Sequence, residues 1–351
     1  MLHQNLTEEK DQAQLTVLPA RKPNPYYSNQ NITPSYIILH CSGYHDPEQI
    51  WIDYQVSTHY FIPEQNDTKQ LIAYEVVKMP LRAWHAGVSH WQNKTGFNDF
   101  AIGIEIHMPN YAHALDGNGT LDFKYFEPYQ RAQIRALILL IQELQKKYSI
   151  PAENVIGHSD IAPWRQQGNE IVLGKTDPGP TLPWKELAEQ GIGQWVDERI
   201  DCPPNIDLSA ETAQYYLAKI GYAVEHTGLF DMKTNFTIGA FREHFMPECY
   251  NATSGSAEEC YVQPFDASTA CAMYRVVETQ QRLSSKSVHS SSSSFFWAAG
   301  IAATGGTILL ACLAYYLARK CKGYSQRDAY EEIPELSDQA GEVELGGKKN
   351  A

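Results

Sequence analysis

The fold is restricted most by an alternation, within the first two hundred residues, of short apolar runs with one long amphipathic helix. Ser35–His40 (SYIILH) is apolar and rich in β-branched side chains, which predicts a buried strand. Thr58–Ile62, Leu71–Val77, Ala101–His107 and Asn154–Gly157 read the same way. Ile134, Leu137, Ile138, Ile141, Leu144 and Tyr148 recur at the spacing of one helical face. Pro128 suits the first turn of that helix and Pro151 stops it. Strands interleaved with a helix predict an α/β domain over residues 34–200, a mixed central β-sheet flanked by helices. Residues 1–33 read as a polar extension. Asp116–Thr120 and Arg165–Glu170 read as loops.

The composition changes near Cys202-Pro203-Pro204, which marks a domain boundary. Beyond it, Ser209 caps a short helix through Ala213, Tyr216, Leu217 and Ile220 that Gly221 ends, and Asp231 opens a second through Phe236, Ala240, Phe241 and Phe245. Residues 205–280 therefore form a small helical module. Residues 284–294 are serine-rich and read as a flexible linker. Phe295–Leu317 is a run of 23 residues without a charge, flanked by aromatic residues and then by Arg319, Lys320 and Lys322. That length and those flanks predict one transmembrane helix. Ala298, Ala302 and Gly306 share one of its faces and could admit a partner helix, a route to self-association. Residues 318–351 form an acidic tail.

The net charge of −13 argues against nucleic acid as a partner, because an acidic chain gains nothing from displacing counterions on a phosphate backbone. Four of the seven cysteines, Cys202, Cys249, Cys260 and Cys271, lie outside the apolar runs and allow three disulfide pairings or none. Asn-X-Thr occurs at Asn5, Asn31, Asn66, Asn93, Asn118, Asn235 and Asn251, more often than 15 asparagines give by chance. Both features fit an extracytoplasmic compartment, as does the basic flank after the predicted span. Residues 1–33 contain no apolar core of a signal peptide, which leaves a tail-anchored, cytosol-facing arrangement as the alternative.

Several strand ends carry groups that can do chemistry. His40 closes the first strand and His158 follows the last. Glu105 is embedded in Ile102-Gly103-Ile104-Glu105-Ile106, where desolvation raises a carboxyl towards the range of a general base. Asp177 lies in a loop stiffened by Pro178 and Pro180. Two histidines and a carboxylate can hold zinc by three ligands and leave a fourth position open. Lys175, two residues before Asp177, could stabilise an oxyanion.

The words around these residues go further. Ile37-Ile38-Leu39-His40, Ser57-Thr58-His59-Tyr60-Phe61-Ile62, Ala83-Trp84-His85-Ala86-Gly87, Ile102-Gly103-Ile104-Glu105, Gly157-His158-Ser159-Asp160-Ile161-Ala162-Pro163 and Lys175-Thr176-Asp177-Pro178-Gly179-Pro180 occur in one order. In that order they resemble the type-2 N-acetylmuramoyl-L-alanine amidases. The resemblance covers residues 36–190. It implies zinc bound by His40, His158 and Asp177, Glu105 as the catalytic acid/base, and Lys175 as the transition-state stabiliser. It implies hydrolysis of the amide between N-acetylmuramic acid and L-alanine in peptidoglycan or muropeptides. A non-catalytic peptidoglycan-recognition protein is the alternative. His85 is either a substrate-pocket residue or a structural neighbour of Trp84. His59 is expected to pack within its strand, and His45, His90 and His107 match nothing. Cys41, next to His40 on a strand, is expected to face away from the metal and to be buried.

One departure stands out, because Trp164–Gly174 intervenes before Lys175 where the family runs almost directly on. Tyr216-Leu217-Ala218-Lys219-Ile220-Gly221-Tyr222, Thr227-Gly228-Leu229-Phe230-Asp231 and Gly239-Ala240-Phe241-Arg242-Glu243-His244-Phe245 resemble a small three-helix peptidoglycan-binding domain. Its implied role is to tether the enzyme to its polymer.

Overall fold

The computed structural model describes residues 14–21, 24–43, 55–65, 70–109, 111, 126–251 and 264–298, with the backbone alone at 251 and 286–298. In chain order its strands are β1 (Gln14–Pro19), β2 (Tyr27–Asn31), β3 (Tyr36–Ser42), β4 (Tyr60–Ile62), β5 (Gln70–Glu75), β6 (Leu81–Ala83), β7 (His90–Trp91), β8 (Lys94–Thr95), β9 (Ala101–His107), β10 (Val155–Gly157), β11 (Trp164–Gln167) and β12 (Glu170–Leu173). Its helices are α1 (Arg131–Tyr148), α2 (His158–Ile161), α3 (Trp184–Glu189), α4 (Ala210–Ile220), α5 (Met232–Phe245) and α6 (Ala267–Ala298).

Six strands form one mixed sheet in the order β1-β5-β4-β9-β3-β10. Only β4 and β5 run antiparallel to each other within it. Residues alternate between the two faces along each strand. Ile37, Leu39, Ile102, Ile104 and Ile106 pack on one face against Ile134, Leu137, Ile138, Ile141 and Leu144 of α1. Cys41 joins that face and is buried as a free thiol, with burial pushing it well above its ordinary pKa. Tyr36, Ile38 and Ala101 point the other way, into a core shared with Ala213, Leu217, Phe241 and Met273. With both faces covered, β3 is buried along its whole length, as a central parallel strand must be.

The expected strands and the α1 helix are present. The α1 helix starts after Pro128, at Arg131, where Gln133 Oε1 accepts from the backbone N–H of Gln130 at 3.0 Å. It ends at Ser149, in the left-handed region at φ 57°. Ser209 and Asp231 cap α4 and α5 by accepting from the backbone N–H of Thr212 and Thr234.

Several expectations need correction or placing. Within the polar extension, Gln14–Pro19 is an edge strand paired in parallel with Gln70–Glu75. An edge offers unpaired backbone groups to any extended segment, so the pairing needs no hydrophobic pattern. Arg165–Glu170 is not a loop, because β11 and β12 form an antiparallel hairpin turned at Gly168, φ 60°. The boundary near Cys202 does not end the compact unit, which continues to Ser285, because the helical segment has no core apart from the one it shares with the sheet.

The serine-rich stretch 284–294 lies inside α6. Serine is only modestly worse than alanine in a helix, and Ser284 Oγ donates back to the Gln280 carbonyl at 2.9 Å. Among the described residues no helix is long and apolar enough to cross a membrane. The predicted span lies outside the described residues from 299 onward, as do the self-association face beyond Ala298 and the acidic tail.

Cys202 and Cys271 form a disulfide that closes the start of the helical segment onto α6. Cys249 is also disulfide-bonded.

Candidate functional site

The three expected ligands meet at one point. The β3–β9 register sets His40 beside Glu105, on the face away from α1. The β10 strand ends at Gly157 and delivers His158 as the first residue of α2. The 175–180 loop folds back so that the Asp177 carbonyl accepts from Ser159 N–H at 2.8 Å. As a result His40 Nδ1, His158 Nδ1 and Asp177 Oδ2 each lie 3.0 Å from the other two. All three residues are buried.

The outer nitrogens show what that triangle can hold. His158 Nε2 faces the Ala86 carbonyl at 3.2 Å, so Nε2 donates there and Nδ1 is the nitrogen turned inward. His85 Nε2 faces the Ala101 carbonyl at 3.3 Å, which leaves His85 Nδ1 to accept from His40 Nε2 at 3.1 Å. His40 Nδ1 is then bare. Burial and the neighbouring His158 push His40 down to about 4, which keeps it neutral near pH 7. Against the upward push of burial, His158 and His40 hold the Asp177 carboxyl well below its ordinary value, so it is ionised. A proton can bridge one edge of such a triangle. A divalent cation satisfies all three lone pairs at once, and two imidazoles with one carboxylate are a donor set that zinc accepts.

Glu105 stands beside the triangle. Its Oε2 is sealed from solvent and has no hydrogen-bond partner. Burial and the Asp177 charge push the Glu105 carboxyl up to about 8, while Lys175 acts in the opposite direction. Lys175 is exposed, and its backbone N–H donates to the Ala162 carbonyl at 2.8 Å. That bond continues the ladder at the foot of the β11–β12 hairpin, so the extra residues lift away from Lys175 and leave the lysine and Asp177 loop in place.

His85 is buried behind His40, with Ala101 on its far side. Asn98 holds its loop by accepting from the backbone N–H of His85 and Ala86 at 2.9 and 2.8 Å. His59 packs as expected, accepting from Gly103 N–H at Nδ1 and facing the Leu81 carbonyl through Nε2, each at 3.0 Å. Asn98 left no trace in the sequence pattern. Gly103 did, because an isolated glycine in a strand signals a close approach, here by the His85 ring.

A family model described as N-acetylmuramoyl-L-alanine amidase matches residues 30–180. The N-acetylmuramoyl-L-alanine amidase AmiD of Escherichia coli (strain K12) is 34% identical over 220 residues, 60% of this chain and 74% of that protein. The 1,6-anhydro-N-acetylmuramyl-L-alanine amidase AmpD of Enterobacter cloacae is 41% identical over 113 residues, 32% of this chain and 48% of its own length. Among solved structures, E. coli AmiD in complex with anhydro-N-acetylmuramic acid-L-Ala-D-gamma-Glu-L-Lys matches with a TM-score of 0.53 and 30% identity, covering 74% of this chain and 93% of that one. AMPDH3 from Pseudomonas aeruginosa matches with a TM-score of 0.53 and 31% identity, covering 74% and 95%. These shares are too large for residues 1–204 alone, so the structural likeness extends into the helical segment.

Proposed function

Since this chain belongs to the N-acetylmuramoyl-L-alanine amidase family, we propose that it hydrolyses the amide between N-acetylmuramic acid and L-alanine with zinc held by His40, His158 and Asp177. The convergence of three acceptor atoms at 3.0 Å carries this reading. Bound there, zinc supplies Lewis acidity towards a carbonyl oxygen and a water. Glu105, paired with His40 across β3 and β9, takes the proton of the attacking water and returns it to the leaving amine. Lys175, exposed at the mouth, favours the ionised form of Glu105 and stabilises negative charge developing on the carbonyl oxygen. Retention of Glu105 and Lys175 beside a complete ligand set supports catalysis over recognition alone.

Solved relatives bound to anhydro-N-acetylmuramic acid-L-Ala-D-gamma-Glu-L-Lys and to an anhydromuramic pentapeptide support soluble anhydromuropeptides as substrates. Incubating the chain with purified anhydromuropeptide and with whole sacculi, and identifying products by mass spectrometry, tests both points. Free stem peptide is the expected product, and its absence from both digests overturns the reading.

We further propose that the enzyme lies outside the cytoplasm, anchored by residues 295–317. The Cys202–Cys271 disulfide supports an oxidising compartment, and Asn31, Asn93 and Asn235 of the sequons are exposed. A reporter fused to the N-terminus is expected outside, and a cytosolic reporter refutes this placement.

A further inference from the structure

The α2 turn carries more of the site than its length suggests. His158 opens it. Ser159 N–H holds the Asp177 backbone at 2.8 Å, and the Ala162 carbonyl holds the Lys175 backbone at 2.8 Å. Three of the five residues given roles above thus depend on where residues 157–162 sit. The turn is closed by Asp160, whose Oδ2 accepts from Gly157 N–H at 2.8 Å.

Asp160 is completely buried, and a buried carboxylate needs partners. Two come from the helical segment. Tyr222 Oη donates to Asp160 Oδ1 at 2.6 Å, and His244 Nδ1 lies 2.8 Å from Oδ2. Both supports are themselves held. The His244 ring stacks on Trp184, with centroids 3.9 Å apart and planes at 14°. Tyr222 pairs through its backbone with Trp91 and meets its ring edge-on at 4.8 Å, while Gln92 N–H donates to the Gly221 carbonyl at 2.8 Å. Glu243, beside His244 in α5, is also buried, and burial together with Asp160 pushes its carboxyl well above the ordinary range. The helical segment therefore reaches the back of the metal site with specific hydrogen bonds, and not only with apolar surface.

We propose that Asp160 is a positioning residue of the metal site, and that Tyr222 and His244 of the helical segment set its geometry. The segment expected to act as a tether for polymer is then a working part of the catalytic unit. This rests on zinc binding by His40, His158 and Asp177.

The test is zinc affinity of the full chain, by competition with a chromophoric chelator, beside the melting temperature of the zinc-free protein. Asp160→Asn is expected to weaken zinc by about 10–100-fold, the range found when groups orienting a ligand are removed, and Tyr222→Phe and His244→Phe by about tenfold each. His244→Asn, whose amide nitrogen sits near the place of Nδ1, should restore most of the loss. Adding Tyr222→Phe to Asp160→Asn should cost little more, because both act through one carboxylate. Tyr222→Phe removes a single oxygen and carries the test should His244→Phe fail to fold. Wild-type zinc affinity in Tyr222→Phe and His244→Phe, whatever their melting temperatures, overturns the proposal and leaves the zinc assignment standing. A wild-type chain that binds no zinc overturns the assignment itself, and this inference with it.

Discussion

Gly103 lies directly under the His85 ring: a Cβ there would sit 2.6 Å from His85 Cγ. His85 in turn meets His40 at 3.1 Å. The absence of a side chain in the middle of β9 thus sets how close the ring behind a metal ligand can come. Gly103→Ala must move the ring or the strand. Overpacking of this kind costs about 1–3 kcal/mol. We expect a lower denaturation midpoint together with weaker zinc binding, and a variant with unchanged zinc affinity would show that His85 does not set the orientation of His40.

Removing the metal should remove the activity. Dialysis against a chelator is expected to abolish stem-peptide release, and stoichiometric zinc should restore it. His158→Ala and Asp177→Ala should bind less than a tenth of the zinc of the parent chain by elemental analysis. Full activity in a demonstrably zinc-free preparation would refute the ligand assignment.

Glu105→Ala is expected to lower kcat by about 10²–10⁴-fold while zinc content stays near one per chain, since loss of a general base costs that much. Retained turnover would move the base elsewhere.

The same carboxyl gives a pH signature in the zinc-free protein. Burial raises Glu105 to about 8, above its value in the unfolded chain. Below the unfolded value it is neutral in both states and costs nothing. As pH rises towards 8 the unfolded state loses its proton first, so the folded state loses stability across that window. Zinc-free Glu105→Gln should therefore match the parent at pH 4 and exceed it by on the order of 2 kcal/mol at pH 8, after discounting for partial exposure. Denaturant titrations at the two pH values measure the difference, and an equal gap at both would contradict the assigned cause.

Cys202→Ser is expected to destabilise the chain by about 2–4 kcal/mol, because the disulfide closes a long loop in the unfolded state. The denaturation midpoint of the reduced parent should lie at or below that of the variant, because reduction also opens the disulfide of Cys249. A variant midpoint equal to that of the oxidised parent would refute the contribution of Cys202–Cys271.

The sequence by itself determined the strands that are buried on both sides, the amphipathic helix α1, and the caps Ser209 and Asp231, because burial and capping leave a local pattern. It also marked His40, Glu105, His158, Lys175 and Asp177, through strand ends and the words around them. The tertiary structure decided what depends on distant groups. The edge strand Gln14–Pro19 exists because β5 has a free edge, and the β11–β12 hairpin exists because its two arms pair with each other. His85 became the partner of His40 only when two segments crossed at Gly103. The Asp160 carboxyl met Tyr222 and His244 only when the helical segment packed on the sheet face opposite α1, sharing one core where the sequence shows a change in composition. Local pattern records which face of an element is apolar, but not which other element covers that face, and the supports of this metal site belong to the second kind of information.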